Sequence, residues 1–379
     1  MYNVPGRHEV NDGCVILLAV LFAAPIHIGL PAGFRPMVMA TADFNHDGNI
    51  DVALCGESQQ LLVFLGDGRG GLHLTTQQAR CGLHPSSMIA ADLNGDGWPD
   101  LAVANHETDY LTVLINDRRG RFAEQHIHVH SVPHPHTVAA ADVNGDGRVD
   151  LITDSWAENR ITLLMSTGPG SWRSPGSTID VLRKPYFNIV AADFDGDGNV
   201  DLAMPNSGFD SVSIFFGDGH GHFSPAPQSP IAAGPTPFTI AIGDVNGDGR
   251  SDILVANYSG HMTDTSQDGL TWIRNDGGRR FTAFPQRVVT AHGSWRVVSG
   301  DINGDGFADA VITDVASDRV TIAYGSRGGL RAGPSIATMH APHAVALADL
   351  NHDGRADILV ISETVDELLV YLSTPPTIR

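Results

Sequence analysis

One nine-residue spelling recurs seven times along the chain, and it limits the fold more than any other feature of the sequence. It reads DFNHDGNID from Asp43, DLNGDGWPD from Asp92, DVNGDGRVD from Asp142, DFDGDGNVD from Asp193, DVNGDGRSD from Asp244, DINGDGFAD from Asp301 and DLNHDGRAD from Asp349. Successive first acids lie 49, 50, 51, 51, 57 and 48 residues apart. A period of that length is one supersecondary unit, and such units bury their apolar faces only against their neighbours. The 379 residues therefore predict one closed or stacked array, although length alone suggests two or three domains.

Each copy sits in the same context. Upstream lies a short apolar strand such as TVAAA (137–141) or FTIAI (238–242), and directly downstream comes a second, DLAVA, DILVA or DILVI. A polar loop leads to a third strand, LLVFLG, LTVLIN, VSIFFG or VTIAYG, and a glycine-rich turn such as DGRGG or DGHGH follows. An apolar residue then opens a weaker fourth strand. Four antiparallel strands per unit of about 50 residues is the pattern of a propeller blade. The 42 glycines and 22 prolines suit many short strands and tight turns, and no long amphipathic helical period is present. The predicted fold class is all-β, a seven-bladed β-propeller of four-stranded antiparallel blades.

Ring closure is legible too. The last repeat supplies three strands, ending with ELLVYLS at 367–373, and has no room for a fourth. Elsewhere the residue opening the fourth strand precedes the next nonamer by 19 to 21 positions: Leu72, Phe122, Trp172, Phe223, Phe281 and Leu330. Counting 21 back from Asp43 reaches Phe22, which predicts that the missing strand comes from Phe22 to Gly29. N- and C-terminal strands sharing the last blade would leave no unpaired edge between them.

Side chains at positions 1, 3, 5 and 9 of the nonamer, with the backbone carbonyl of position 7, can converge on one hard cation, as in the first half of an EF-hand loop. The candidate ligands are Asp43, Asn45, Asp47, Asn49 and Asp51 in the first copy, and Asp92, Asn94, Asp96, Trp98 and Asp100 in the second. The third has Asp142, Asn144, Asp146, Arg148 and Asp150, and the fourth Asp193, Asp195, Asp197, Asn199 and Asp201. The fifth has Asp244, Asn246, Asp248, Arg250 and Asp252, and the sixth Asp301, Asn303, Asp305, Phe307 and Asp309. The seventh has Asp349, Asn351, Asp353, Arg355 and Asp357.

All-oxygen donors in a flexible loop favour Ca²⁺ over zinc, copper or the stricter Mg²⁺. The loop is no EF-hand, because the twelfth position holds Leu54, Val103, Thr153, Met204, Val255, Ile312 or Val360 where a bidentate Glu belongs. An Asx-rich turn without an ion explains one copy. It does not explain seven, since the three or, in the fourth copy, four carboxylates of each nonamer repel one another without a cation between them. About seven structural Ca²⁺ ions are expected. They would bring the formal charge from −20 to about −6 on full occupancy. The acidic balance argues against nucleic acid as a partner, which requires clustered Lys and Arg.

The pattern D-x-[ND]-x-D-G-x-x-D, followed by DLAVA-like strands and FGDGxGxF turns, resembles the FG-GAP/VCBS repeats that build the seven-bladed head of integrin α-subunits and many secreted bacterial propellers and lectins. The resemblance covers about residues 22 to 373 and implies calcium in the loop between the first two strands of each blade. Asp195 in place of Asn, and His46 and His352 in place of Gly, depart from the commonest spelling here.

The apolar run Cys14 to Ala24 after Arg7 and His8 fits a secretory leader, expected as residues 1–24, with a single propeller domain from 25 to 379 in a secreted or periplasmic protein. It is too short to span a bilayer. Glu9, Asp12 and Phe22 run against a leader, and a buried N-terminal strand is the other reading. Cys55 and Cys81 are either a disulfide or two unpaired buried thiols.

Ligands of propellers usually dock on loops at one end of the ring. The residue six before each first Asp opens the innermost strand: Met37, Ser86, His136, Phe187, Phe238, Trp295 and His343. These should crowd the channel mouth, with His84, His134, Tyr186 and Arg296 nearby and Tyr258 on an adjoining loop. Aromatic faces with polar edges suit a sugar or small polar ligand; the bland alternative is that they plug the channel. The insertion at 257–269 and the histidines of HIHVH at 126–130 are further candidates, the latter as a transition-metal pair or a solvated edge.

The sequence thus reads as a monomeric, calcium-stabilised binding module for a glycan or protein surface, with no membrane span in the mature chain. His136, Phe187, Phe238, Trp295, Arg296, His343 and Tyr258 are its candidate ligand residues. The alternative is an enzyme of polysaccharide lyase or hydrolase type at the channel mouth, with His136, His343 or Arg296 in acid-base roles. Nucleophile-elbow, phosphate-loop and H-E-x-x-H signatures are lacking.

Overall fold

A computed structural model describes residues 21–128, 134–155, 158–174, 176–181, 188–206, 208–258 and 268–374. The leader prediction therefore falls almost wholly outside the described residues, as do Tyr186, Phe187 and most of the 257–269 insertion. The side chains of the HIHVH histidines lie outside them as well.

Seven antiparallel sheets form the ring, each running from an innermost strand at the channel to an outermost strand at the rim. In the first blade the order is Pro36–Ala42, Asp51–Gly56, Leu61–Gly66 and Leu72–Thr75. The six-residue second strands are buried along their length, for example Asp100–Asn105 and Asp357–Ser362. Both faces of each sheet pack on neighbouring blades, so these strands read as continuous apolar runs instead of alternating. Seven apolar clusters result, one per blade interface. The cluster of Val52, Leu54 and Phe64 with Leu359, Ile361 and Val370 joins the first blade to the seventh.

The ring closes as the repeat arithmetic requires. Ile26–Gly29 pairs antiparallel with Val365–Tyr371, in the register Ile26 to Val370 and Gly29 to Glu367, and so completes the seventh blade. Leu21 and Phe22 extend the contact by pairing with Thr374 and Ser373.

Two blades depart from the regular pattern. Trp172, expected to open a fourth strand, lies in a small hairpin, Ser171–Trp172 against Ser166–Gly168, and donates its indole N–H to the Val149 carbonyl at 3.0 Å. The fourth strand of that blade is Ser177–Asp180. Gly176 leads into it, where a Cβ would sit 2.2 Å from the Leu163 carbonyl oxygen. In the fourth blade the outer edge is split into Phe223–Pro225 and Ile231–Ala232. Pro225, Pro227 and Pro230 supply no ladder N–H there.

Cys55 and Cys81 are disulfide-bonded, with Cα atoms 6.0 Å apart. The pair was ambiguous in sequence because a regular layout puts the two residues two strands apart. Cys81 instead lies beyond the fourth strand, in the connection that folds back beside the blade, where its N–H donates to the Gln59 carbonyl at 2.9 Å and Arg80 bridges Gln60.

Candidate functional sites: the acidic loops and the channel mouth

Every nonamer links the first and second strands of its blade, and its ninth residue opens the second strand. The sixth-position glycines all take positive φ, from 78° at Gly354 to 89° at Gly48, a conformation open to glycine with little penalty. This turn folds the backbone around the first carboxylate. Asp43 accepts N–H bonds from Asp47 (3.1 Å) and Gly48 (2.8 Å), and Asn45 Oδ1 accepts a second bond from Asp47 N–H at 3.0 Å. Equivalent bonds run from Gly97 to Asp92, Gly147 to Asp142, Gly198 to Asp193, Gly249 to Asp244, Gly306 to Asp301 and Gly354 to Asp349.

The ninth-position aspartates Asp51, Asp100, Asp150, Asp201, Asp252, Asp309 and Asp357 are fully buried. Asp51 is representative: its Oδ2 accepts Phe44 N–H at 2.8 Å and its Oδ1 accepts Gly66 N–H at 2.9 Å, tying the loop to the third strand. Each oxygen keeps a lone pair beyond its hydrogen bond. Burial is the main force raising these acids, to about 6 for Asp51, Asp100, Asp201 and Asp252 and about 7 for Asp309, with repulsion from fifth-position carboxylates adding to it.

The fourth loop is the most acidic. Asp193, Asp195 and Asp197 bring one carboxylate oxygen each to within 4.8 Å of one another, an arrangement that can hold a metal ion. Neighbouring loops also touch. His46 and His352 occupy fourth positions at positive φ, 53° and 59°. The ring of His46 stacks on Trp98 with centroids 3.8 Å apart, and His352 Nε2 lies 2.9 Å from Asn49 Oδ1. Each histidine thus gains a contact with the adjacent blade where glycine would have relaxed the backbone.

At the opposite end of the inner strands lies the channel mouth. A cavity of 390 Å³ is lined by Met37, Ser86, His106, His136, Tyr258 and Trp295, together with His343 and Glu363. The structure therefore brings together four of the candidate ligand residues, His136, Tyr258, Trp295 and His343. Phe238 backs them, with its ring centroid 5.2 Å from Tyr258 and 4.3 Å from Trp295, and the Tyr258 and Trp295 rings meet edge-on at 5.1 Å. Arg296 is placed differently from its sequence expectation. It lies one tier deeper, among the inner-strand residues that line a second cavity of 420 Å³ along the channel.

Burial holds the Arg296 guanidinium down at about 10. Burial and the Arg296 charge together push His343 down to about 3, so its imidazole is neutral throughout the physiological range. Its Nδ1 lies 3.8 Å from Glu363 Oε2. His136 packs on His106 with centroids 4.3 Å apart, and behind it is the buried Asp154, 3.8 Å from His136 Nδ1. Asp154 Oδ1 accepts the backbone N–H groups of His136 and Thr137, both at 2.8 Å, and burial raises its carboxyl to about 7.

Asp154 and Glu363 were not singled out in the sequence. A signal for Asp154 existed: it occupies the fifth place of a second strand, where the other blades have Cys55, Ala104, Pro205, Ala256, Thr313 and Ile361. Glu363 carried none, because its loop resembles any polar turn.

Fold and loops together define a seven-bladed β-propeller with an acidic loop at the same turn of every blade. The chain belongs to the FG-GAP-like repeat family, whose model matches residues 43–103, 92–153, 193–255 and 301–360. No curated protein matches it in sequence. Solved structures share the fold at low identity. A chain from the complex of BBS1N with ARL6DN superposes with TM-score 0.62 at 13% identity, covering 94% of this chain and 97% of that one. An Agrocybe aegerita lectin that recognises non-reducing terminal N-acetylglucosamine gives 0.52 at 17% identity, covering 92% and 85%. A chain of Kuenenia stuttgartiensis hydrazine synthase gives 0.61 at 14%, covering 93% and 98%.

Proposed function

We propose that this protein is an extracytoplasmic, calcium-stabilised propeller that binds carbohydrate at the channel mouth. The observation that carries the reading is the aromatic cluster of Phe238, Tyr258 and Trp295 beside a 390 Å³ cavity edged by Ser86, His106, His136 and His343. Sugars present C–H faces that pack on aromatic rings and hydroxyls that need such polar edges. The fold likeness to a lectin supports it. The disulfide suits an oxidising compartment, and no helix among the described residues is long and apolar enough to cross a membrane.

Calcium is the ion that the loops suit. Their donors are carboxylate, amide and carbonyl oxygens without sulfur or imidazole in the ligand positions, which is hard-cation chemistry. The first-, third-, fifth- and ninth-position side chains and the seventh-position carbonyl would hold it, and it would supply positive charge between carboxylates that otherwise repel. Its role on this reading is structural, because a site present in every blade gives no blade a distinct chemistry.

The test is a glycan array followed by calorimetry. Retention of a glycan without turnover, lost in Trp295→Ala and Tyr258→Ala variants that still fold, is the expected result. Released product would move the reading to the lyase or hydrolase alternative, and glycan retention unaffected by both substitutions would overturn the site.

A further inference from the structure

Among the described residues of the seven innermost strands Arg296 is the sole charged one; the others read PMVMATA, PSSMIAA, VAAA, VAA, PFTIAIG and AVALA around its own SWRVVSG. It is half-buried and lines the channel cavity; its Nε is buried without a hydrogen-bond partner, and no carboxylate among the described residues pairs with it. A partly desolvated charge with no counter-charge is unfavourable and favours an anionic partner. In a chain of net charge −20, the inward-facing exception is positive and faces open volume.

We infer that Arg296 is the receptor for a carboxylate carried by the sugar that enters the mouth, so that the preferred ligands are acidic monosaccharides of the uronic-acid type. This rests on the reading of the mouth as a carbohydrate site. Trp295, which lines the mouth, is the chain neighbour of Arg296, which lines the channel below it. His343 lines the mouth and lies within reach of the Arg296 charge, so a ring stacked on the aromatic cluster beside it can direct one substituent toward the guanidinium. The planar guanidinium fork matches a carboxylate in two parallel hydrogen bonds. Being neutral, His343 adds a hydrogen-bonding edge without a second positive charge. One cation matches a singly charged carboxylate better than a doubly charged phosphate.

The experiment is isothermal titration of the full-length protein with glucuronate, glucose and acetate, on the wild type and on Arg296→Gln, Arg296→Lys and Trp295→Ala. The expected result is at least a tenfold preference for glucuronate over glucose, reduced to parity in Arg296→Gln and only partly retained in Arg296→Lys, which keeps the charge but not the fork. Should Arg296→Gln fail to fold, competition on the wild type decides: acetate should weaken glucuronate binding and leave glucose binding unchanged.

Equal binding of glucuronate and glucose overturns the inference, as does glucuronate binding that acetate or the Arg296 substitutions leave untouched. Binding of neither sugar also overturns it. Acetate binding as tightly as glucuronate reduces the site to a simple anion hole and overturns the sugar-acid assignment. Trp295-dependent glucose binding without acid preference would sink this inference while the carbohydrate reading stands; glucuronate binding that ignores Trp295→Ala would remove the aromatic mouth as the sugar site and sink both.

Discussion

Arg279, in the outer turn of the fifth blade, places its guanidinium Nε 2.6 Å from Oδ2 of Asp195 in the acidic loop of the fourth. The Asp195 side chain is only 3% exposed, and the guanidinium also lies over the Phe216 ring, 4.8 Å from its centroid. Asp195 is the one third-position carboxylate among the seven loops. The position with the extra negative charge is thus the one that a neighbouring blade answers with an arginine.

In the calcium-free protein, removing Arg279 leaves the buried Asp195 carboxylate without a counter-charge. Arg279→Met should therefore lower stability by about 2–3 kcal/mol and the melting temperature by a few degrees. Asp195→Asn should cost less, because Asn fills this position in the other six loops and its Oδ1 can still accept the Asp197 N–H. In the double variant the loss should be smaller than the sum of the two. Thermal unfolding of the four proteins measures this coupling, and simple additivity would show that the contact contributes nothing.

Chelation tests the proposed ions. Extracellular calcium modules have dissociation constants of roughly 10⁻⁴ to 10⁻³ M. At about ten times that constant, each site adds about 1.4 kcal/mol, and seven together add about 10 kcal/mol. Excess chelator should lower the melting temperature by well over 10 degrees, and returning calcium should restore it where magnesium does not. Elemental analysis at millimolar calcium should count about seven ions per chain. A protein indifferent to chelator would remove calcium from the account.

The fold was legible because its determinants are local and repeated. One turn spelling fixes where each second strand begins, and the continuous apolar run of that strand announces burial on both faces. The places where reading failed are where a long-range contact overrides the local pattern. Trp172 has the spacing of a strand opener, yet the Val149 carbonyl draws its indole inward. Arg296, expected near the mouth, lines the channel cavity below it, a depth that strand order alone does not display. Asp154 accepts the backbone N–H groups of His136 and Thr137, just ahead of the strand Val138–Ala141, a relation that sequence order does not display.

Closure of the ring by Ile26–Gly29 predicts the effect of truncation. Deleting residues 1–30 leaves Val365–Tyr371 as an unpaired edge strand in the seventh blade, beside the apolar cluster shared with the first. Open edges pair with other chains. The shortened protein should lose its single cooperative calorimetric transition and run as higher oligomers on gel filtration. A monomer with the parental transition would mean that the seventh blade is complete without this strand.

Asp154 gives the pH prediction that can be separated from the metal loops. Its carboxyl is raised from 3.8 to about 7, burial being the dominant cause, partly opposed by the N–H bonds from Thr137 and His136. A folded-state value above the unfolded one means that the folded protein holds the proton where the unfolded chain has released it. The contribution is complete below about pH 4 and is lost progressively as pH rises toward 7, up to about 4 kcal/mol if no other group relaxes. Asn can accept the same two N–H bonds through its Oδ1 and does not ionise. Asp154→Asn should therefore come closest to the wild type in stability near pH 4, gain on it as pH rises, and exceed it by several degrees in melting temperature at pH 8, measured in saturating calcium so that the loops stay constant. A difference that is flat across this range, or larger at the acidic end, would mean that Asp154 is ionised in the folded protein and paired with a protonated His136.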